Sequence, residues 1–185
     1  MPQITANGIR IEYDTFGDPA HRPLLLVMGL GAQMTRWRPE FCELLAADGH
    51  YVVRFDNRDV GLSQKFEAAG VPNMAEIFAR AQSGQPVTAP YSLDDMADDA
   101  VGVLDALGIE RAHVCGASMG GMIVQQMAVR HGQRLHTMTR RSSASGHART
   151  SNAASIRSAW RARWRPSRFP ATGDRRSPLF ARRPW

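Results

Sequence analysis

Apolar positions along this chain follow two rhythms. Ile4 to Phe16 alternates apolar and polar, and Asn7-Gly8 interrupts the alternation with residues that tolerate positive backbone angles. A hairpin is expected there, with Ile9, Ile11 and Tyr13 on one face of its second strand. Pro23 to Met28 is continuously apolar, as in an interior strand of a parallel sheet covered on both faces. Gly29-Leu30-Gly31 ends it in a tight turn. Pro39 suits the first turn of a helix running to about Ala47 and stopping at Gly49, with Phe41, Leu44 and Leu45 inward. Tyr51 to Phe55 reads as the next strand and empties into a polar loop, Asp56 to Ser63.

The pattern then fades. Residues 64–90 hold three prolines and two glycines, with one short helix expected from Met74 to Ala81. A stretch of that length without periodicity is more often functional than idle inside a compact domain. Ser92 and Asp95 fit a helix cap and its reciprocal partner, and Leu93, Met96, Ala100, Val101, Leu104 and Leu107 repeat at helical spacing up to Gly108. Ala112 to Cys115 reads as a buried strand, Met119 to about His131 as a helix, and Leu135 to Thr139 as the opening of one more strand. Strands alternating with helices predict an α/β domain whose mostly parallel sheet has helical crossovers.

Between the buried strand and the following helix lies Gly116-Ala117-Ser118-Met119-Gly120, the pattern G-x-S-x-G, with Gly121 as a further small residue. A strand that reverses sharply into a helix puts the middle residue in strained geometry and crowds its neighbours. Glycine on either side keeps side chains out of that space. The hydroxyl of Ser118 would then project past the carboxyl end of the strand, above the free N–H groups of a helix N-terminus.

Composition changes the picture in one place. The 185 residues suit one domain, 43% of them hydrophobic, and no apolar run approaches the ~20 residues of a membrane span. Met1-Pro2-Gln3-Ile4 does not read as a signal peptide, so a cytoplasmic location is expected. Cys42 falls on a helix and Cys115 on the buried strand, which makes neither a disulfide framework. The net charge of +6 divides unevenly. Met1–Thr139 carries 11 basic and 16 acidic side chains, net −5. Arg140–Trp185 carries 12 arginines, no lysine and one acid, Asp174, net +11. The expected division is therefore an acidic domain over 1–139, within which 64–90 forms a cap or loop segment, and an irregular basic tail over 140–185.

With these residues in view, the first 139 positions resemble the α/β-hydrolase fold family, closest to its serine esterase, prolyl iminopeptidase and haloperoxidase-like branch. Val27-Met28-Gly29-Leu30-Gly31 sits where the family has a His-Gly oxyanion turn, with Met28 in place of His. Asp56-Asn57-Arg58-Asp59-Val60-Gly61-Leu62-Ser63 is similar to the family's Asp-x-Arg-Gly-x-Gly-x-Ser loop, with Asp59 in place of Gly. Ser118-Met119-Gly120-Gly121 is similar to its nucleophile elbow. The resemblance implies that Ser118 attacks an ester or amide carbonyl of a small substrate. It implies that backbone N–H groups of Leu30 and Met119 hold the oxyanion, and that Gly29, Met34 and Trp37 border the substrate. No cofactor and no metal is implied.

The same resemblance expects a late Asp or Glu and then a His to activate the serine. After Ser118 the sequence offers Asp174 and the histidines His131, His136 and His147, none at a matching position, so the C-terminal part of the family is expected to be absent and activity impaired. Arginine without lysine, arriving abruptly at Arg140, is the pattern that a reading-frame shift in GC-rich DNA yields. Loss of later strands would leave Ala112 to Cys115 nearly at a sheet edge, where self-association is expected. Asp56 and Asp59 are read as pinning their loop, and Asp94-Asp95 and Asp98-Asp99 as a solvated helix face near the positive end of its dipole. His113 reads as a satisfied or edge-exposed core residue. Two rival readings are a non-catalytic remnant of the fold and a tail that binds nucleic acid or an anionic surface. The tail reading rests on Ile156, Trp160 and Trp164 at intervals of four among arginines; the bland reading of that tail is disorder, so nucleic acid is not the expected partner.

Overall fold

The computed structural model describes residues 2–141 and 148–152. Strands β1 (Gln3–Ala6) and β2 (Ile9–Phe16) form the expected hairpin. Asn7 and Gly8 take φ of +49° and +77°, the pair of left-handed residues that a two-residue hairpin turn requires. There follow β3 (Arg22–Val27), α1 (Pro39–Ala47), β4 (His50–Phe55), α2 (Met74–Gln82), α3 (Leu93–Ala106), β5 (Ala112–Ala117), α4 (Met119–Arg130), β6 (Leu135–Arg141) and β7 (Ala148–Asn152). Ser92 and Asp95 cap α3 reciprocally, as their spacing predicts.

The strands lie in the order β1-β2-β4-β3-β5-β6-β7. β4, β3, β5 and β6 are mutually parallel; the hairpin and β7 flank them antiparallel. Handedness explains the layers. From β3 the chain crosses to β4 on one side, and the next crossover brings β5 to the other side of β3. Right-handed crossovers in opposite directions must put their helices on opposite faces. So Leu25, Val27, Val53 and Val114 face α3 and α4, while Leu24, Leu26, Val52 and Cys115 face α1. The first face carries most of the core: Met96, Ala100 and Leu104 of α3 meet Ile123, Val124 and Met127 of α4 over the sheet. A buried aliphatic side chain of this size contributes about 1.5–3 kcal/mol before chain entropy is subtracted.

Two expectations are corrected. Helix α1 forms where predicted, but Cys42 is its fully buried residue, with Leu45 half-buried beside it. Phe41 and Leu44 are 43% and 72% exposed. The helix covers only a narrow strip of sheet, and Cys42 and Leu45, three residues apart, supply that strip. Phe41 lies ~100° off it and stacks on Trp37 at the rim, 6.0 Å between centroids. Strand β5 is not near an edge: β6 and β7 lie beyond it, and β6 continues past the compositional change at Arg140. With β3 and β5, β6 also gives α4 a floor. Among the described residues no helix is long and apolar enough to cross a membrane.

Candidate active site

Because β4 and β5 lie on opposite sides of β3, the carboxyl ends of β3 and β5 border the crevice where a parallel sheet changes winding direction. Ligands of such sheets gather there. Ser118 stands at this point, between the last residue of β5 and the first of α4. Its backbone has φ +54° and ψ −123°, a left-handed excursion of the kind that costs a non-glycine residue about 1–3 kcal/mol. The side chain is exposed and makes no capping hydrogen bond, so the hydroxyl is presented outward.

Three glycines hold the bend, each for a steric reason. A Cβ on Gly116 would strike the carbonyl of Gly120. One on Gly120 would strike the carbonyl of Val27 and come within 2.8 Å of that of Met28. One on Gly29 would lie 3.0 Å from Ser118 Cβ and 3.4 Å from Met119 N. The turn after β3 is therefore stacked directly on the elbow. It closes through the Ala32 N–H donating to Gly29 O at 3.2 Å, with Gly31 at φ +62°. Met119 is the first residue of α4, so its N–H has no partner within the helix. Leu30, between Gly29 and Gly31 in that turn, is 81% exposed.

The polar loop after β4 braces this arrangement. Asp56 is buried; its Oδ1 accepts from Met34 N–H at 2.6 Å and its Oδ2 from Leu62 N–H at 3.3 Å. Ser63 Oγ donates to Asp56 O, and Asn57 Nδ2 donates to Met28 O at the end of β3. Asp59 Oδ1 accepts from Phe66 N–H at 2.7 Å. Both carboxylates thus pin the loop, as read from the sequence, and Asp56 ties the segment after β3 to it through Met34.

Of the site residues expected from sequence, the fold brings Gly29, Ser118 and Met119 together, with Leu30 next to Gly29 in the turn. It places Met34 and Trp37 otherwise. Met34 is 1% exposed, sealed beneath the turn with its N–H on Asp56. Trp37 packs against the α1-side cluster of Leu26, Cys42 and Val52. Burial pushes the Cys115 thiol up, consistent with an inert core thiol.

Among the described residues no histidine engages Ser118. His131 lies at the far end of α4, ~18 Å of helix away, where Nε2 meets Asp98 Oδ1 at 2.6 Å. His113 Nδ1 meets Thr137 Oγ1 at 2.8 Å, and His50 and His136 flank its ring. His147, Asp174 and the Ile156, Trp160 and Trp164 series lie outside the described residues.

The acidic face of α3 is not simply solvated. Asp99 is 1% exposed and accepts from Arg58 Nε at 2.6 Å and Nη2 at 2.7 Å, with Asn7 Nδ2 as a third donor. The guanidinium stacks on Phe66 and Tyr91. This pair ties the braced loop to α3 and was missed in the sequence. Its signal was helical phase: Asp99 shares the inward face with Met96 and Val103. Asp94 and Asp98 pair with Arg130. Partial burial works against ionising Asp98, yet hydrogen bonds from His131 and Arg130 hold its carboxyl below the usual range.

Comparisons with known proteins agree with this geometry. A family model of the alpha/beta hydrolase fold matches residues 22–175. The chain is 38% identical over 136 residues to rhodomycin D methylesterase DauP of Streptomyces sp. (strain C5), covering 74% of this chain and 40% of that protein. It is 32% identical to a putative carbamate hydrolase RutD of Azorhizobium caulinodans, covering 75% and 43%. The crystal structure of the enol-lactonase from Burkholderia xenovorans LB400 superposes with a TM-score of 0.56 at 26% identity, over 73% of this chain and 44% of that one. The chain thus spans about two-fifths of the length of these relatives. Elbow, oxyanion turn, braced loop and sheet order converge with these matches: the chain belongs to the α/β-hydrolase fold family.

Proposed function

We propose that this chain carries the nucleophile half of an acyl hydrolase acting on a carboxylic ester or related acyl bond. Ser118 Oγ attacks the carbonyl carbon as its proton passes to water, the π pair moves onto the carbonyl oxygen, and the N–H groups of Leu30 and Met119 receive that charge. Collapse of the tetrahedral centre breaks the bond to the leaving oxygen, which departs as the alcohol after taking a proton from water, and leaves an acyl-serine. The observation that carries this reading is the backbone of Ser118 at φ +54°, with Gly29 packed against it and Met119 N at the head of α4. A methylesterase, a putative carbamate hydrolase and an enol-lactonase share attack at an acyl carbonyl bearing a heteroatom leaving group, which supports the same reaction class here. Since backbone atoms supply both donors, Met28 in the place of a family His leaves the hole intact.

Turnover needs a base, and the described residues provide none to Ser118. Without it the rate of a serine enzyme falls on the order of 10⁶, in acylation as in deacylation, so this part of the chain reacts slowly and only with an activated ester. The substrate is a small free ester, met in the cytoplasm, with the segment 64–90 capping the site. The basic stretch, expected to be an irregular tail from residue 140, begins inside the sheet, since β6 runs to Arg141 and β7 pairs with it. The test is p-nitrophenyl acetate with this chain beside Ser118→Ala. The expected result is release of up to one p-nitrophenolate per chain, absent in the variant. Equal rates would remove the function.

A further inference from the structure

The segment between β4 and α3 borders a half-open cavity of about 520 Å³ that the elbow residues do not line. Phe66 and Tyr91 form one wall, ring centroids 5.4 Å apart and inclined at 57°. Ile77 of α2 forms the other, and Val87 stands at the rim, 42% exposed. Three charged side chains border the space, and each is already engaged. Asp59 accepts from Phe66 N–H and from the Tyr91 hydroxyl, while Glu76 and Arg80 pair with each other at 3.6 Å. Arg58, behind the two rings at 5.2 and 5.1 Å, is neutralised by Asp99. Burial and the Asp59 hydrogen bond push the Tyr91 hydroxyl up to about 12, so it stays neutral at physiological pH. An anionic ligand would meet the Asp59 carboxylate, while Arg80, the cation on the lining, is paired with Glu76. A flat uncharged one would find two rings disposed for edge and face contact, in a volume usual for small-molecule sites. Asp59 also lines the hollow that contains Leu30 and Gly31, so the cavity and the oxyanion turn share a wall.

We propose that this cavity binds the uncharged, ring-containing part of the ester whose carbonyl meets Ser118. The placement of the carbonyl rests on the function proposed above; recognition of a neutral ring rests on the cavity alone. Equilibrium dialysis of the full chain against 2-naphthol and 2-naphthoate tests the second point. The neutral ring should bind wild type and Ser118→Ala alike, one per chain, with the carboxylate weaker by about tenfold or more. Val87→Glu, at an exposed rim position, and Ile77→Glu should each weaken 2-naphthol by about tenfold or more while far-ultraviolet dichroism stays as in wild type. Equal binding of the two ligands, or binding unmoved in both folded variants, overturns the site. For the first point, 2-naphthyl acetate should protect Ser118 from a fluorophosphonate, and Val87→Glu should abolish the protection. Binding of 2-naphthol without such protection overturns the link to the ester. Binding of 2-naphthol to a chain whose Ser118 never labels leaves the cavity standing and removes the nucleophile.

Discussion

The elbow and the segment that follows β4 are built by opposite means. At the elbow, backbone meets backbone: Gly116 against Gly120, Gly120 against Val27 and Met28, Gly29 against Ser118. No atom there can move without displacing a strand or a helix. The segment 64–91 has little beneath it. Helix α2 buries no residue, with Met74 and Phe78 52% and 60% exposed, and its shape depends on Phe66, Tyr91 and the carboxylate of Asp59. The parts that would perform chemistry are thus over-determined, while the parts that would choose a substrate hang from a few side chains. Such a division lets pocket walls change without disturbing the reacting geometry. Arg58 is the joint between the two: it leaves the braced loop, pairs with Asp99 on α3 and backs the aromatic wall.

That contrast sets the order of mutational effects. Asp99→Ala should be the most damaging, about 3–5 kcal/mol, because it strands the buried Arg58 guanidinium; urea unfolding measures it. Gly120→Ala should follow at about 1–3 kcal/mol or more, since the new methyl group meets carbonyl oxygens that cannot retreat. A loss under about 0.5 kcal/mol would mean that the elbow is less rigid than its contacts imply. Asp98→Asn should lose only about 0.5 kcal/mol at neutral pH, because its pairs with Arg130 and His131 are partly solvated. Its native carboxyl lies below the ordinary 3.8, so the stabilisation is present above that value and disappears as pH falls through the native one. Wild type and variant should therefore converge in acid. Smallest of all, Met74→Ala with Phe78→Ala should leave unfolding within about 0.5 kcal/mol of wild type. A large loss there would erase the distinction between the two regions.

What the sequence made legible follows the same division. Gly116, Gly120 and Gly121 around Ser118 encode a steric requirement that admits few alternatives, so the elbow was readable without coordinates. Continuous apolar strands and a capped α3 were equally plain, because burial on both faces and a capping box leave periodic marks. Helix α1 was readable as a helix but not in its orientation. Apolar residues at 41, 42, 44 and 45 permit more than one inward stripe, and packing chose Cys42 and Leu45. Met34 and Trp37 illustrate a different limit. Their proximity in sequence to the oxyanion turn suggested substrate contact, yet a short 3₁₀ turn at Met34–Arg36 directs one beneath the turn and the other toward α1. The cavity of Phe66, Ile77 and Tyr91 left no periodic trace, since it is assembled by a loop whose register no sheet or helix stripe imposes.

The central claim is that the strained backbone at one position presents a single hydroxyl beside main-chain N–H donors that only the folded chain assembles. The direct measurement is the rate of fluorophosphonate modification of the full chain, mapped by peptide mass, before and after unfolding in urea. Modification confined to Ser118 and abolished by unfolding is the predicted result. No modification of the folded chain, or modification of Ser118 at the same rate once unfolded, would contradict it.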